Sequence, residues 1–199
     1  MRKLHILLLS IVIATISAVA ATPTADALLA DLRAKMQASP SVEAVFTLNS
    51  ENGAAAGSVI LAGNKYVMTT NGLKVWYDGK TQWTLFEASK EVNVTEPTAA
   101  EVMTSNPFAI LTAHQDFYTA RRLKNNRVEL VPRDKDLGFD RFVIGIGANG
   151  WPSTLVIEFG DGSKIDVKID AINSGKAKSA TTFTFDAKKH TNIDIIDLR

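Results

Sequence analysis

The 199-residue chain has no cysteine, three histidines and six prolines. Without cysteine there is no disulfide, and the fold must be held by packing alone. Histidine chemistry is almost excluded by supply. His5 lies in the first twenty residues, and His114 and His190 show neither HxxxH nor HExxH spacing, so no pair of imidazoles shares a helix face for a metal. No GxSxG elbow, P-loop or EF-hand pattern occurs, and no nucleophile and base are paired by spacing, so a secreted hydrolase has nothing to stand on. We therefore expect no catalytic residue, no metal site and no cofactor.

Charge of one sign is also missing. The whole chain has 22 basic and 21 acidic residues, and setting aside Arg2 and Lys3 leaves 20 against 21. A nucleic-acid binder usually shows a basic excess, so that class is not expected. Arg121, Arg122, Lys124 and Arg127 form the one basic cluster, which reads as a solvated strand edge. Past residue 20 no apolar run is long enough to span a bilayer.

Residues 1–20, MRKLHILLLSIVIATISAVA, have two basic residues, an apolar stretch and a small-residue exit at Ala18-Val19-Ala20. This is the layout of a cleavable secretory signal, with cleavage expected after Ala20. Residues 21–199 are then expected to form a single domain, exported and monomeric.

Ala25 to Ala38 places Leu28, Leu29, Leu32 and Met36 at helical spacing behind a Thr24 cap, and Pro40 closes that helix. The period then changes from 3.6 to 2. Val42, Ala44, Phe46 and Leu48 alternate with more polar neighbours. Asn-Gly and Asp-Gly pairs at 52–53, 71–72, 78–79, 149–150 and 161–162 punctuate the rest, as tight hairpins require. The pattern predicts strands at 42–50, 57–62, 65–70, 73–77, 81–86, 91–95, 116–122, 127–132, 139–146, 153–159, 163–171 and 181–186. One segment interrupts the meander. Thr98-Ala-Ala-Glu101 is a capping box, and Asn106-Pro107 starts a second helical piece over FAILTAHQ. Two short helical pieces between prolines read as a lid laid over a sheet.

Several motifs carry no chemistry in context. Gly145 to Gly150 spells GxGxxG, but Trp151-Pro152 and a strand follow where a dinucleotide site needs a helix, so the glycines belong to a hairpin. Glu158, Asp161, Asp166 and Asp170 could suggest a calcium site, yet the last two alternate with Ile165, Val167 and Ile169 and read as the wet face of a strand. Asn93-Val94-Thr95 matches a glycosylation acceptor, which means little without a host that glycosylates.

What is abundant is apolar surface of one sidedness. Inward candidates are Phe46 and Leu48, Tyr66 and Met68, Trp83 and Leu85, Phe142 with Ile144 and Ile146, Leu155 with Ile157 and Phe159, and Phe183 with Phe185. From the lid come Phe108, Ile110 and Leu111. Each could equally be ordinary core.

The stretch DGKTQWTLFEASKEVNVTEPTAAEV followed by NPFAIL resembles the LolA family of periplasmic lipoprotein carriers, and the closing FTFDAKKHTNIDIIDLR is similar to that family's terminal segment. The resemblance implies a mainly β protein with short helices, an unclosed antiparallel β-barrel of about eleven strands covered by a helical lid. It implies an apolar cavity for the acyl chains of lipoproteins, for which the inward candidates above other than Ile146, Phe159, Phe183 and Phe185 are the expected lining, with Trp83 and Leu85 inside and Phe86 on the opposite face or at the strand's exit. It also implies two further partners, an inner-membrane lipoprotein-releasing ABC transporter and an outer-membrane lipoprotein receptor. Family members commonly hold the lid shut with an arginine on the strand after the first hairpin, but no arginine occurs between Arg33 and Arg121 here. Lys65 is the nearest candidate for that lid contact, and it offers a point charge instead of a planar fork. An envelope lipid- or glycolipid-binding sensor of the same fold is the alternative that this departure leaves open.

Overall fold

The computed structural model describes residues 22–111 and 115–199. The expected signal segment and His114 lie outside the described residues. Helix α1 spans Ala25–Gln37; Thr24 accepts the Ala27 N–H at 3.1 Å, and Ala25, Leu29, Leu32 and Met36 are buried on one side.

Twelve strands then form one sheet. They are β1 (Ser41–Ser50), β2 (Gly53–Ala62), β3 (Lys65–Thr70), β4 (Leu73–Tyr77), β5 (Gln82–Phe86), β6 (Glu91–Thr95), β7 (Tyr118–Leu123), β8 (Arg127–Pro132), β9 (Arg141–Ile146), β10 (Pro152–Glu158), β11 (Lys164–Gly175) and β12 (Asp194–Asp197). Their order is β12-β6-β5-β4-β3-β2-β1-β11-β10-β9-β8-β7. Pairing β1 with both β2 and β11 welds the two meanders into one surface. The edges β12 and β7 do not meet, so the barrel is unclosed. All neighbours are antiparallel except β12, which runs parallel to β6.

Between β6 and β7 the chain leaves the sheet. Helix α2 (Ala99–Ser105) begins on the expected capping box, with both the Thr98 and the Glu101 side-chain bonds formed. In the second lid piece Ala109–Leu111 form a 3-10 turn, just after the Asn106 side chain accepts the Phe108 N–H at 3.0 Å, and a further 3-10 turn at Gln115–Phe117 leads into β7.

Two apolar clusters hold the sheet, one on each side. The larger joins α1, the lid and the concave face of β1–β4 and β7–β11. The smaller contains Trp76, Leu85, Val92 and Val94, with Val67, Trp83, Phe185 and Ile193 packed against it. The last residues cross the convex face to cover this second cluster, and here the sequence reading is corrected. No strand forms over 181–186. Ala180–Phe183 is a 3-10 turn capped by Ser179, and a further turn at Ala187–Lys189 leads to β12. TTFTF alternates as a strand should, but β12 takes the free edge of β6. Phe185 instead lays its ring 5.5 Å from Trp76 and 5.0 Å from His190.

The GxGxxG stretch is the β9–β10 hairpin, where the Gly147 N–H donates to the Trp151 carbonyl at 2.8 Å and Gly150 takes φ +75°. Asp166 and Asp170 pair with Lys164 and Lys168 on the wet face of β11.

Candidate functional site

Residues paired across a ladder share a face, so the concave surface can be followed strand by strand. One row runs Val42, Leu61, Tyr66, Tyr77, Gln82, Thr95. The next runs Ala44, Val59, Met68, Val75, Thr84, Asn93. A third runs Phe46, Gly57, Thr70, Leu73, Phe86, Glu91. In the other half, Leu48 continues through Val167, Leu155, Ile144 and Val128, while Ile157, Phe142 and Leu130 form a parallel row. The concave face is therefore almost entirely apolar from β1 to β4 and again from β8 to β11.

Gly57 is a sequence requirement of this surface. A Cβ there would lie 2.5 Å from the Phe46 ring and 2.7 Å from the Thr69 carbonyl oxygen, so only glycine lets Phe46 lie across β2. On top of Phe46 comes Phe108, with ring centroids 5.3 Å apart. Ile110, Leu111 and Met103 complete a plug, each no more than 6% exposed.

The plug does not fill the hollow. A cleft of about 200 Å³ remains between α2 and β2–β4, lined by Leu61, Lys65, Tyr66, Tyr77, Val102 and Met103 among others. Beneath α2 a hydrogen-bonded trio closes one end. The Tyr66 hydroxyl donates to Gln82 Oε1 at 2.7 Å, and the Ser105 hydroxyl lies 3.4 Å from Tyr66 and 3.5 Å from Gln82. Burial pushes the Tyr66 hydroxyl up to about 12, so it remains a donor at any physiological pH.

Most of the expected inward residues meet here. Phe46, Tyr66, Met68, Phe108, Ile110 and Leu111 join Phe142, Ile144, Leu155 and Ile157 in the concave cluster, with Leu48 packed against it. Trp83 and Leu85 do not. Both belong to the convex cluster under the C-terminal segment, and Phe86 is the apolar β5 residue on the concave side with Gln82 and Thr84, 39% exposed. The expectation had the two faces of β5 reversed, because its apolar side chains answer a cover, Phe185 and Ile193, supplied a hundred residues or more later in the chain. Lys65 lies beside α2 at the cleft, but no hydrogen bond or ion pair of its ammonium is found among the described residues. Among the described residues, the side-chain hydrogen bonds from α2 to the sheet are those of Ser105, beside the apolar packing of Met103. Sequence reasoning missed Met103, Tyr77, Gln82 and Ser105; the one available signal was that QWTLF alternates its polar residues, Gln82 and Thr84, which pair with Tyr77 and Val75 across the hairpin.

Against this geometry, the family model for outer membrane lipoprotein carrier protein LolA matches residues 28–161. The chain belongs to the LolA family. The LolA match takes in β1 to β10 together with the described part of the lid. The backbone is similar to that of an uncharacterized conserved protein from Thermus thermophilus, with a TM-score of 0.56 at 11% identity, covering 87% of this chain and 98% of that one. A LolA superfamily protein from Nitrosomonas europaea gives a TM-score of 0.47 at 12% identity, over 83% of this chain and 100% of that one. No curated protein matches the sequence. No helix among the described residues is long and apolar enough to cross a membrane.

Proposed function

We propose that this LolA-family protein is a periplasmic carrier that hides the acyl chains of lipoproteins in the hollow between sheet and lid. In this reading it takes them from an inner-membrane ABC transporter and delivers them to an outer-membrane receptor. The observation that supports this is the plug. Met103 on α2, Ile110 and Leu111 in the 3-10 turn, and Phe108 just before that turn occupy the concave face, and none belongs to the sheet itself.

Two or three acyl chains exposed to water cost about 0.8 kcal/mol per methylene, which sums to tens of kcal/mol. A shield must therefore be both deep and apolar. The open cleft, about 200 Å³, is small beside the two or three acyl chains of a lipoprotein. Loading thus requires the plug to withdraw. Acyl chains then replace phenylalanine, isoleucine and leucine against the same wall, so apolar contact is exchanged more than lost, and the empty protein never presents an open greasy patch.

The test is release. Incubated with membrane vesicles bearing newly made lipoprotein, the protein should yield a soluble one-to-one complex, and a folded sample that releases none ends the reading. The alternative of a lipid- or glycolipid-binding sensor draws on the missing lid arginine and Lys65. Mass spectrometry of the co-purified ligand separates the two, since free lipid without lipoprotein favours the sensor.

A further inference from the structure

The concave face changes character at one end. The first two rows described above are apolar through β4, and on β5 and β6 they meet Gln82 and Thr95, then Thr84 and Asn93. The outermost of these side chains border a second groove of about 450 Å³, lined by Gln82, Thr95, Glu96, Glu101, Ser105 and Arg199 among others. The Tyr66–Gln82–Ser105 trio stands between this groove and the apolar cleft, because Tyr66 lines one, Gln82 and Ser105 line the other, and they are hydrogen-bonded. Asn93 Oδ1 is buried and has no hydrogen-bond partner, a cost that a donor arriving from a ligand would relieve. The charges at the rim are already engaged. Arg199 grips Asp197 at 2.6 Å, Glu96 pairs with Lys80 at 3.1 Å, and Glu101 caps α2.

We propose that the polar floor of Gln82, Thr84, Asn93 and Thr95 is a headgroup subsite, selecting amphiphiles whose head is uncharged and bears hydroxyl or amide donors. This rests on the acyl-carrier reading and adds what that reading leaves open, the chemistry of the other end of the cargo. Gln82 Oε1 is taken by Tyr66, and Gln82 Nε2 donates to the Thr84 hydroxyl at 3.3 Å, so the floor's open acceptor is Asn93 Oδ1 beside the Thr95 hydroxyl, and the groove brings no unengaged cation to a phosphate. A neutral sugar head and the amide-linked head of a lipopeptide share that chemistry.

The experiment is displacement of a fluorescent acyl-chain probe by three competitors with identical chains in one non-ionic detergent. They are a galactosyl diacylglycerol, an uncharged diacyl lipopeptide and phosphatidylglycerol. The neutral heads should compete at about tenfold lower concentration than phosphatidylglycerol, equivalent to about 1.4 kcal/mol. The larger effect within the neutral pair identifies the source. Thr84→Val with Asn93→Leu should bring the ratio to about one by weakening the neutral competitors; if that pair does not fold, Thr95→Val alone should lower it. A ratio of one in the unaltered protein, or a ratio that survives both variants, overturns the subsite while leaving the acyl carrier standing. Tighter phosphatidylglycerol also overturns it and makes Lys65 the head contact. A folded protein that binds no probe removes the carrier reading itself and the subsite with it.

Discussion

The rings of Phe46 on β1 and Phe108 in the lid meet at 5.3 Å with 52° between their planes. One belongs to the wall and the other to the plug, and each is only 1% exposed. In the closed protein they contribute alike to stability, but if the plug must withdraw for cargo their effects on binding should have opposite signs.

Phe108→Ala should therefore destabilise the empty protein by about 3 kcal/mol, as a buried ring left as a cavity does, and tighten acyl-probe binding because the competing plug is weaker. Phe46→Asp should weaken both. Urea denaturation and probe titration of the same samples measure the pair, and a loss of affinity in Phe108→Ala would place that ring in the permanent wall.

Tyr66 reports on the lid. Its hydroxyl is held at about 12 by burial under α2, above an ordinary tyrosine near 10. A raised value for a group that is neutral when protonated stabilises the fold below about pH 10, and that contribution fades as pH climbs toward 12. Spectroscopic titration should show a phenol near 12 that disappears in Tyr66→Phe, while Tyr77, also raised by burial, stays. With acyl cargo bound and the lid displaced, the same phenol should ionise closer to 10. A late phenol that ligand leaves in place would mean that α2 stays shut on loading.

Trp83 separates the two sides of the sheet. It lies half-buried in the convex cluster, so Trp83→Ala should cost roughly 2 kcal/mol, below the range of a fully buried tryptophan. Acyl-probe affinity should hardly change. A several-fold loss of affinity at retained stability would put the cargo on the wrong face.

Glu129 binds two arginines across β7–β9, Arg121 Nε and Arg141 Nε each at 2.7 Å. The hydrogen bond from Arg121, then that from Arg141, lowers its pKa below the ordinary carboxylate value. A lowered folded value means stability that is fully present above about pH 4.3 and lost as pH falls through the depressed value. Glu129→Gln should cost about 1 to 2 kcal/mol at neutral pH, discounted because Arg121 is largely in water. Denaturation at stepped pH should show the variant converging on the unaltered protein in acid, and parallel curves would mean the network contributes nothing.

Several elements were legible in the residues for plain physical reasons. Alternation delimits β3, β4, β6 and β8 to the residue, helped at β3 and β4 by the Asn71-Gly72 and Asp78-Gly79 turns, and the Thr98–Glu101 box starts α2 where its hydrogen bonds require. The lid's closure was not legible. Lys65 stood out as the charge nearest the expected position, whereas the contact is made by Ser105 and Gln82, two neutral residues twenty-three positions apart. The end of the chain misled as well, because an alternating Thr-Phe run makes a strand only where an edge is free to receive it.

The sequence by itself determined the extent of most strands and which side chains on a strand go together. Only the tertiary structure decided which way each strand's apolar side faces. Alternation sets two sides apart without saying which is inner. On β5 the answer came from Phe185 and Ile193 folding back over the convex surface, since an apolar face turns toward whatever removes it from water.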